Sequence, residues 1–455
     1  MRSVNEPWLQ RLKQLAALAL ILAPIGAFYL ILWRNAVRVP ILDDYDIVLD
    51  LASWLSQHHS LSARLLLMLT REHNGYKLMF DNAVIFGQYL LLGRVNFFSL
   101  VMLGNLLALC IFLVVVRMAR FSPSNTTDRW ILLAPVAWLV MQLQYASALD
   151  FSSCSLQNLG VVLFALLSIY WLDGEPYPWF AASCAALVLA IASSPSGFFA
   201  APVGFLMLFQ SKRWRRMALW TLTATLMFLL YLFRYIPPSA GAPVAGGSPS
   251  GFAHLNPLYA ISFMGSSAAR FSSIEPAVLL GVLLCGVFLF SIKLKYFRTN
   301  PPVFYSMLFI LITALAVSGL RSDLGLAQSL ASRYRIYSNL FLAFTYIFAV
   351  ETLLPLVGRR DLRRAAVGLA LAIAIAFGSL SDMAGARFLH GKKEALVINY
   401  RTQWQGRAAD QDSDAMKALA NPVLRRQIKD GVYDINILSI REAVRNGVYN
   451  PPRNP

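Results

Sequence analysis

Apolar runs of about 20 residues, the length a helix needs to cross a hydrocarbon core about 30 Å thick, recur from Leu12 to Leu380. A chain of 455 residues that is 57% hydrophobic and only 14% charged cannot cover such runs with a water-facing surface. An ordinary soluble domain is about 25% charged. Lipid offers the backbone no hydrogen-bond partners, so the spans must satisfy their own N–H and C=O groups as helices. Alternating barrel strands of about ten residues are not seen. The expectation is an all-α integral membrane protein.

The net charge of +17, from 40 Lys and Arg against 23 Asp and Glu, would suggest nucleic-acid binding in a soluble protein. Here the basic residues gather in short loops, and loop sorting across the bilayer accounts for most of the excess. Spans at roughly 13–34, 95–117, 130–148, 157–172, 179–194, 197–211, 217–236, 276–292, 302–320, 335–355 and 364–381 give about eleven transmembrane helices. The basic loops Arg117 to Arg129, Lys212 to Arg216, Lys293 to Arg298 and Arg359 to Arg364 then all share the side of the N-terminus. The positive-inside rule makes that side cytoplasmic, in a bacterial inner membrane, and puts the C-terminus in the periplasm. Cys110, Cys184 and Cys285 lie within apolar spans and leave only Cys154 near a loop, so no disulfide framework is implied. The basic N-terminus, followed by a long run ending in Trp33-Arg34 without a small-residue cleavage site, reads as an uncleaved first span.

Residues 1–380 form the expected transmembrane domain, and 381–455 a small, helical periplasmic C-terminal segment. Three outer segments exceed what a connector needs: about 35–94, about 237–275 and the tail. Within the second, 237–250 is rich in Pro, Gly, Ala and Ser and reads as a flexible loop. The first has helical periodicity at Ile47, Leu51, Trp54 and Leu55, and again at Leu61, Leu65, Met68 and Leu69, which predicts juxtamembrane surface helices. The run 76–92 is apolar but carries Asp81, Asn82 and Gln88, and a crossing there would upset the charge rule. It is expected to lie at the outer membrane face.

Residues 43–50 read Asp-Asp-Tyr-Asp-Ile-Val-Leu-Asp, four acids where an even spread of 23 over the chain gives about 0.4. Asp43 and Asp44 would enter a surface helix, where carboxylates cap free N–H groups and meet the positive dipole end. Alternatively, one acts as a base toward an acceptor hydroxyl, or the two hold a divalent cation through oxygen ligands. A carboxylate near a low-dielectric surface acquires the raised pKa that suits a base.

A short N-terminal tail, one span and an outer loop opening with Val39-Pro-Ile-Leu-Asp43-Asp44-Tyr-Asp46 resembles the type C glycosyltransferase (GT-C) superfamily. The likeness extends to Arg71-Glu-His-Asn-Gly-Tyr76, similar to the polar stretch late in the first loop of related bacterial membrane proteins. The resemblance implies a polyprenyl-phosphate sugar as donor, a glycan or a protein such as a pilin subunit as acceptor, and a first-loop Asp as catalytic residue. Asp43 and Asp44 are both candidates.

Arg321, Arg333 and Arg335 flank an outer loop and break the charge rule. A planar, permanently charged guanidinium suits a lipid phosphate, although snorkelling to headgroups or pairing with Asp323 explains the same residues. On a regular helix Arg333 shares a face with Tyr337, and Arg335 with Asn339. At most one of the two arginines should therefore meet the phosphate; the Arg-Tyr pair at the start of a late span, also similar to GT-C-like proteins, favours Arg333. His73, Glu72 and Lys77 are further candidates for substrate contact, and no recognisable spacing completes a metal site around them. His58-His59 reads as a solvated loop element. Asp150, Gln157 and Asn158 at an outer turn are possible pocket linings.

No phosphate-binding loop or nucleotide-sugar domain is visible, so donor and driving force must come from elsewhere. A lipid-phosphate sugar brings its own leaving group. The alternatives are a transporter or flippase for a lipid-linked glycan, for which matching broken halves are lacking, and a noncatalytic membrane assembly protein. The tail, with Tyr400, Arg401, Trp404 and Arg407, is helix-capable and available to close over the site or read the acceptor.

Overall fold

The computed structural model describes residues 7–57, 59–122, 126–235, 255–269, 273–399 and 435–450. The expected flexible loop at 237–250, His58, and Tyr400 to Arg407 of the tail lie outside them.

The described chain is almost wholly helical. Seven helices are long and apolar enough to cross a membrane. They are α1 (Pro7–Asn35), α5 (Phe97–Met118), α7 (Ser152–Leu172), α12 (Glu275–Lys293), α14 (Pro301–Arg321), α15 (Ser332–Phe348, continued by a π turn) and α16 (Arg360–Asn399). The protein is thus a multi-pass membrane protein. The other four runs read as spans also form helices, shorter or less apolar: α6 (Thr126–Val140), α8 (Tyr177–Ser193), α9 (Ala200–Gln210) and α10 (Trp214–Leu232). The run expected to span 130–148 ends as an α-helix at Val140, and Leu143–Ala148 turns as a 3-10 helix. In the other direction, α16 continues unbroken past residue 381. Its 40 residues are about 60 Å long, twice the hydrocarbon thickness.

The basic loops converge at one end. Arg120 donates to Thr299 O (2.8 Å) and to Asp173 (2.5 Å), while its backbone N–H reaches Glu351 (2.6 Å). Asn300, just after the short helix α13 (Tyr296–Thr299), donates to Met118 O (2.9 Å), and Arg213 donates to Leu172 O (3.1 Å). At the opposite end Leu143 N donates to Asp382 (2.8 Å), Lys392 pairs with Asp150 (2.5 Å), and Arg335 reaches Gln144 O (3.4 Å). Successive helices between these two sets therefore alternate in direction.

Close backbone approach holds the bundle where small residues permit it. A Cβ on Gly281 of α12 would sit 1.9 Å from Ile261 O, and one on Gly265 would sit 1.9 Å from Ala277 O. These contacts press α11 (Pro257–Met264) onto α12.

The first outer segment is a packed subdomain. A π turn (Tyr45–Leu49) leads into α2 (Asp50–Ser56), and α3 (Leu61–Thr70) follows, capped by the Ser60 hydroxyl. Then come the strands β1 (Glu72–His73) and β2 (Tyr76–Lys77), and α4 (Met79–Leu92). With 14 residues, α4 is about 21 Å long, too short to cross a 30 Å core unaided. Its Ile85 and Phe86 join the buried apolar residues of α2 in a second apolar cluster, while Met79 packs into the main one. The last described helix, α17 (Ile435–Arg445), completes that cluster with Ile440 and Ala443, followed by Val448 and Tyr449. Val95 N donates to Val448 O (2.8 Å), and Tyr449 donates to Arg38 O (3.1 Å).

Candidate functional site

The adjacent acids Asp43 and Asp44 are turned to different tasks by the backbone before them. Leu42 lies in the left-handed region (φ 50°), uncommon for a side chain of this size. The tight turn around it is closed by Asp44 N donating to Ile41 O (3.0 Å) and Tyr45 N to Leu42 O (3.3 Å).

Asp44 is 1% exposed and fully engaged. Its Oδ1 accepts from the Ser152 hydroxyl (2.6 Å), the Ser153 hydroxyl (3.0 Å) and Ser153 N (3.0 Å). Its Oδ2 accepts from Ser152 N (3.3 Å) and Ile41 N (3.4 Å). The side chain thus caps α7 from more than a hundred residues away, meeting free N–H groups and the positive end of the helix dipole. Burial raises its pKa, against the pull of these donors. The raised carboxyl anticipated for a base therefore sits on the capping residue.

Asp43 keeps half of its side chain exposed and lies 3.7 Å from His73 Nε2. Its pKa is lowered, chiefly by the neighbouring His73 imidazole, with the charge of Arg333 acting the same way against partial burial. Because every Asp44 oxygen is taken by protein donors, the two acids do not converge on one cation. Among the described residues, no group of three or more His, Cys, Asp or Glu side chains could hold a metal ion.

A two-residue hairpin presents His73. Asn74 (φ 51°) and Gly75 (φ 79°) both take positive φ, as a type I′ turn demands, and pair His73 with Tyr76 and Glu72 with Lys77. Asn74 Nδ2 lies 2.9 Å from His73 Nε2, and the Tyr76 ring stands edge-on to the imidazole at 6.4 Å. Arg71 anchors the hairpin base through Ile47 O (2.8 Å) and Asp46 O. Its far side is held by α10: Tyr231 accepts from Lys77 N (3.1 Å), and Tyr235 beyond the helix donates to Gly75 O (2.9 Å).

Tyr76, singled out by no chemical pattern in the sequence, is the hub of the site. Burial raises its pKa, the Gln157 side chain opposes that rise, and Asp43, Arg321 and Arg333 all act on it electrostatically. Gln157 is thus the outer-turn residue that reaches the cluster, whereas Asn158 turns back to Cys154 O (2.9 Å) and Asp150 pairs with Lys392. Arg333 lies over the Tyr334 ring at 5.2 Å.

Other sequence candidates fall elsewhere. Arg335 donates to Leu330 O (3.2 Å) and Gln144 O (3.4 Å), fastening two outer turns. Tyr337 is buried 5.7 Å from the Phe263 ring and 6.5 Å from that of Phe309, since its face of α15 looks into the bundle. Lys77 is fully buried, its ammonium spent on Phe233 O. Glu72 keeps its place opposite Lys77 in the hairpin, and its charge acts on Tyr235 rather than on Asp43. His59 stacks on Trp54 at 3.9 Å.

The chain matches no family model, and neither the curated proteins nor the solved structures yield a significant match.

Proposed function

We propose that the protein is a membrane glycosyltransferase of the GT-C type. It moves a sugar from a polyprenyl-phosphate donor to the hydroxyl of a glycan or protein acceptor at the periplasmic face of a bacterial inner membrane. The observation that carries this reading is Asp43: a half-exposed carboxylate, oriented by His73, within the field of an arginine at the end of the bundle opposite the basic loops. Its neighbour is consumed by structure, so Asp43 is the acid free to meet a substrate.

In this reading Asp43 accepts the acceptor hydroxyl's proton as the oxygen attacks the anomeric carbon. The bond from that carbon to the phosphate oxygen breaks, and polyprenyl phosphate departs with the electron pair. Arg333, with Arg321 acting on the same cluster, stabilises the growing phosphate charge. Donor binding also tunes the base. A phosphate that neutralises Arg333 removes one influence lowering the Asp43 pKa, so the carboxylate becomes more basic when the donor is seated.

The test is transfer from radiolabelled polyprenyl-phosphate monosaccharides by the full chain in lipid nanodiscs. Asp43→Asn should lose about 10²- to 10⁴-fold in turnover, the usual contribution of a general base. Arg333→Gln should lose activity with a raised donor KM. Wild-type turnover in a folded Asp43→Asn protein would overturn the assignment.

A further inference from the structure

A second feature at the outer end lies away from the Asp43 cluster. A groove of about 830 Å³ runs between the last turn of α1 and the outer part of α16. Its floor is apolar, from Ile31 and Ala386, and its rim carries Arg34, His390, Lys393 and Glu394. The α16 residues follow helical spacing along one face.

The groove sits where a headgroup would. Trp33 is 61% exposed beside it and Phe388, half a turn before His390 on another face of α16, is 45% exposed, which marks the interfacial belt at that level. Below the belt Leu30, Leu380 and Met383 face outward. The rim charges are unevenly committed. Glu394 pairs with His390 (3.3 Å). Lys393 spends one of its three donors on Arg34 O (2.8 Å), and Asn35 takes Ile31 O (2.8 Å), so the carbonyl end of α1 is already capped. The Arg34 guanidinium is exposed and makes no hydrogen bond to another described residue.

We infer that this groove is a binding site for an anionic phospholipid of the outer leaflet, with the phosphate between Arg34 and Lys393 and an acyl chain along Ile31 and Ala386. Capped carbonyls, two cations and an apolar floor match the two halves of such a lipid. Cations on this side also run against the loop-charge rule. The site is separate from the proposed donor contacts at Arg333 and does not depend on them.

Native mass spectrometry of the full chain, titrated with phosphatidylglycerol or phosphatidylcholine in mild detergent, tests it. Phosphatidylglycerol should be retained preferentially. Arg34→Gln should weaken that retention about fivefold, the effect of removing one cation near an anionic headgroup. Glu394→Gln should strengthen it. Arg34→Gln removes no side-chain hydrogen bond within the described protein, so an unchanged melting temperature separates lipid loss from unfolding. Equal retention of the two lipids, or no response to Arg34→Gln, would overturn the inference. So would displacement of phosphatidylglycerol by polyprenyl phosphate together with a raised donor KM in Arg34→Gln, which would make the groove the donor's own seat.

Discussion

Replacing Asp44 with Ala should open the start of α7 while leaving the rest of the bundle in place. Five donors converge on this carboxylate in a position 1% exposed. The two serine hydroxyls can rotate toward other acceptors, and Ile41 N, at the limit of hydrogen-bond reach (3.4 Å), loses little, but Ser152 N and Ser153 N are fixed at the start of α7. Stranding two buried N–H groups costs about 1–3 kcal/mol each, or about 2–6 kcal/mol together. Asn keeps one carbonyl for these groups and avoids burying a charge, so Asp44→Asn belongs at the low end. Cys154, two residues into α7 and half-buried, reports the opening. With Cys110, Cys184 and Cys285 replaced by Ala, maleimide labelling of Cys154 should accelerate in Asp44→Ala. A mid-range loss of about 4 kcal/mol corresponds to roughly 10³-fold more of the open form. Asp43→Ala should leave the labelling rate unchanged. Labelling in Asp44→Ala within threefold of the parent would refute the capping role.

Two further outcomes follow from the same geometry. In the transfer assay, His73→Ala removes the largest influence holding Asp43 below the ordinary carboxylate range and leaves the burial that raises it. The Asp43 pKa must rise, so the acid limb of kcat/KM should move to higher pH, and an unmoved limb would separate Asp43 from the profile. Gly281→Val would drive a side chain into Ile261 O and force α11 off α12. Overpacking of this kind costs about 1–3 kcal/mol, visible as a lower melting temperature in detergent. Ser338 on α15 donates to Met264 O (2.6 Å) at the end of α11, so Arg333 should shift and the donor KM should rise as well.

What was legible in the sequence is what lipid and helix periodicity dictate locally. Each run read as a span contains a helix, seven of them long and apolar enough to cross a membrane, and the basic loops meet at one end of the bundle. The hairpin was also written locally, in Asn74-Gly75, yet an all-helical expectation treats 71–76 as a polar stretch and passes over the strongest short-range turn signal in the chain. The separation of Arg333 from Arg335 follows from residues two apart facing different ways on a helix. Tyr337 shows the limit of that argument: sharing a face with Arg333 did not keep it at the surface, because the bundle closes over α15 within one turn. Asp43 and Asp44 could not be told apart, since the deciding partners, Ser152 and Ser153, are 108 and 109 residues distant.

That division between the two acids has a physical logic. A free carboxylate in an exposed loop would sample many directions and lose much of the advantage of a fixed base. Here Asp44 is immobilised by α7, the left-handed turn at Leu42 is held closed by Ile41 and Asp44, and the next side chain along the chain is thereby aimed at His73. Left-handed backbone at a non-glycine residue persists only where its surroundings over-determine it, and the five bonds to Asp44 supply that constraint. The most saturated acid in the site is thus what positions the least saturated one. Loss of Asp44 should therefore impair transfer as well as stability, but through the aim of Asp43, with the acid limb of the pH profile still following Asp43 and His73.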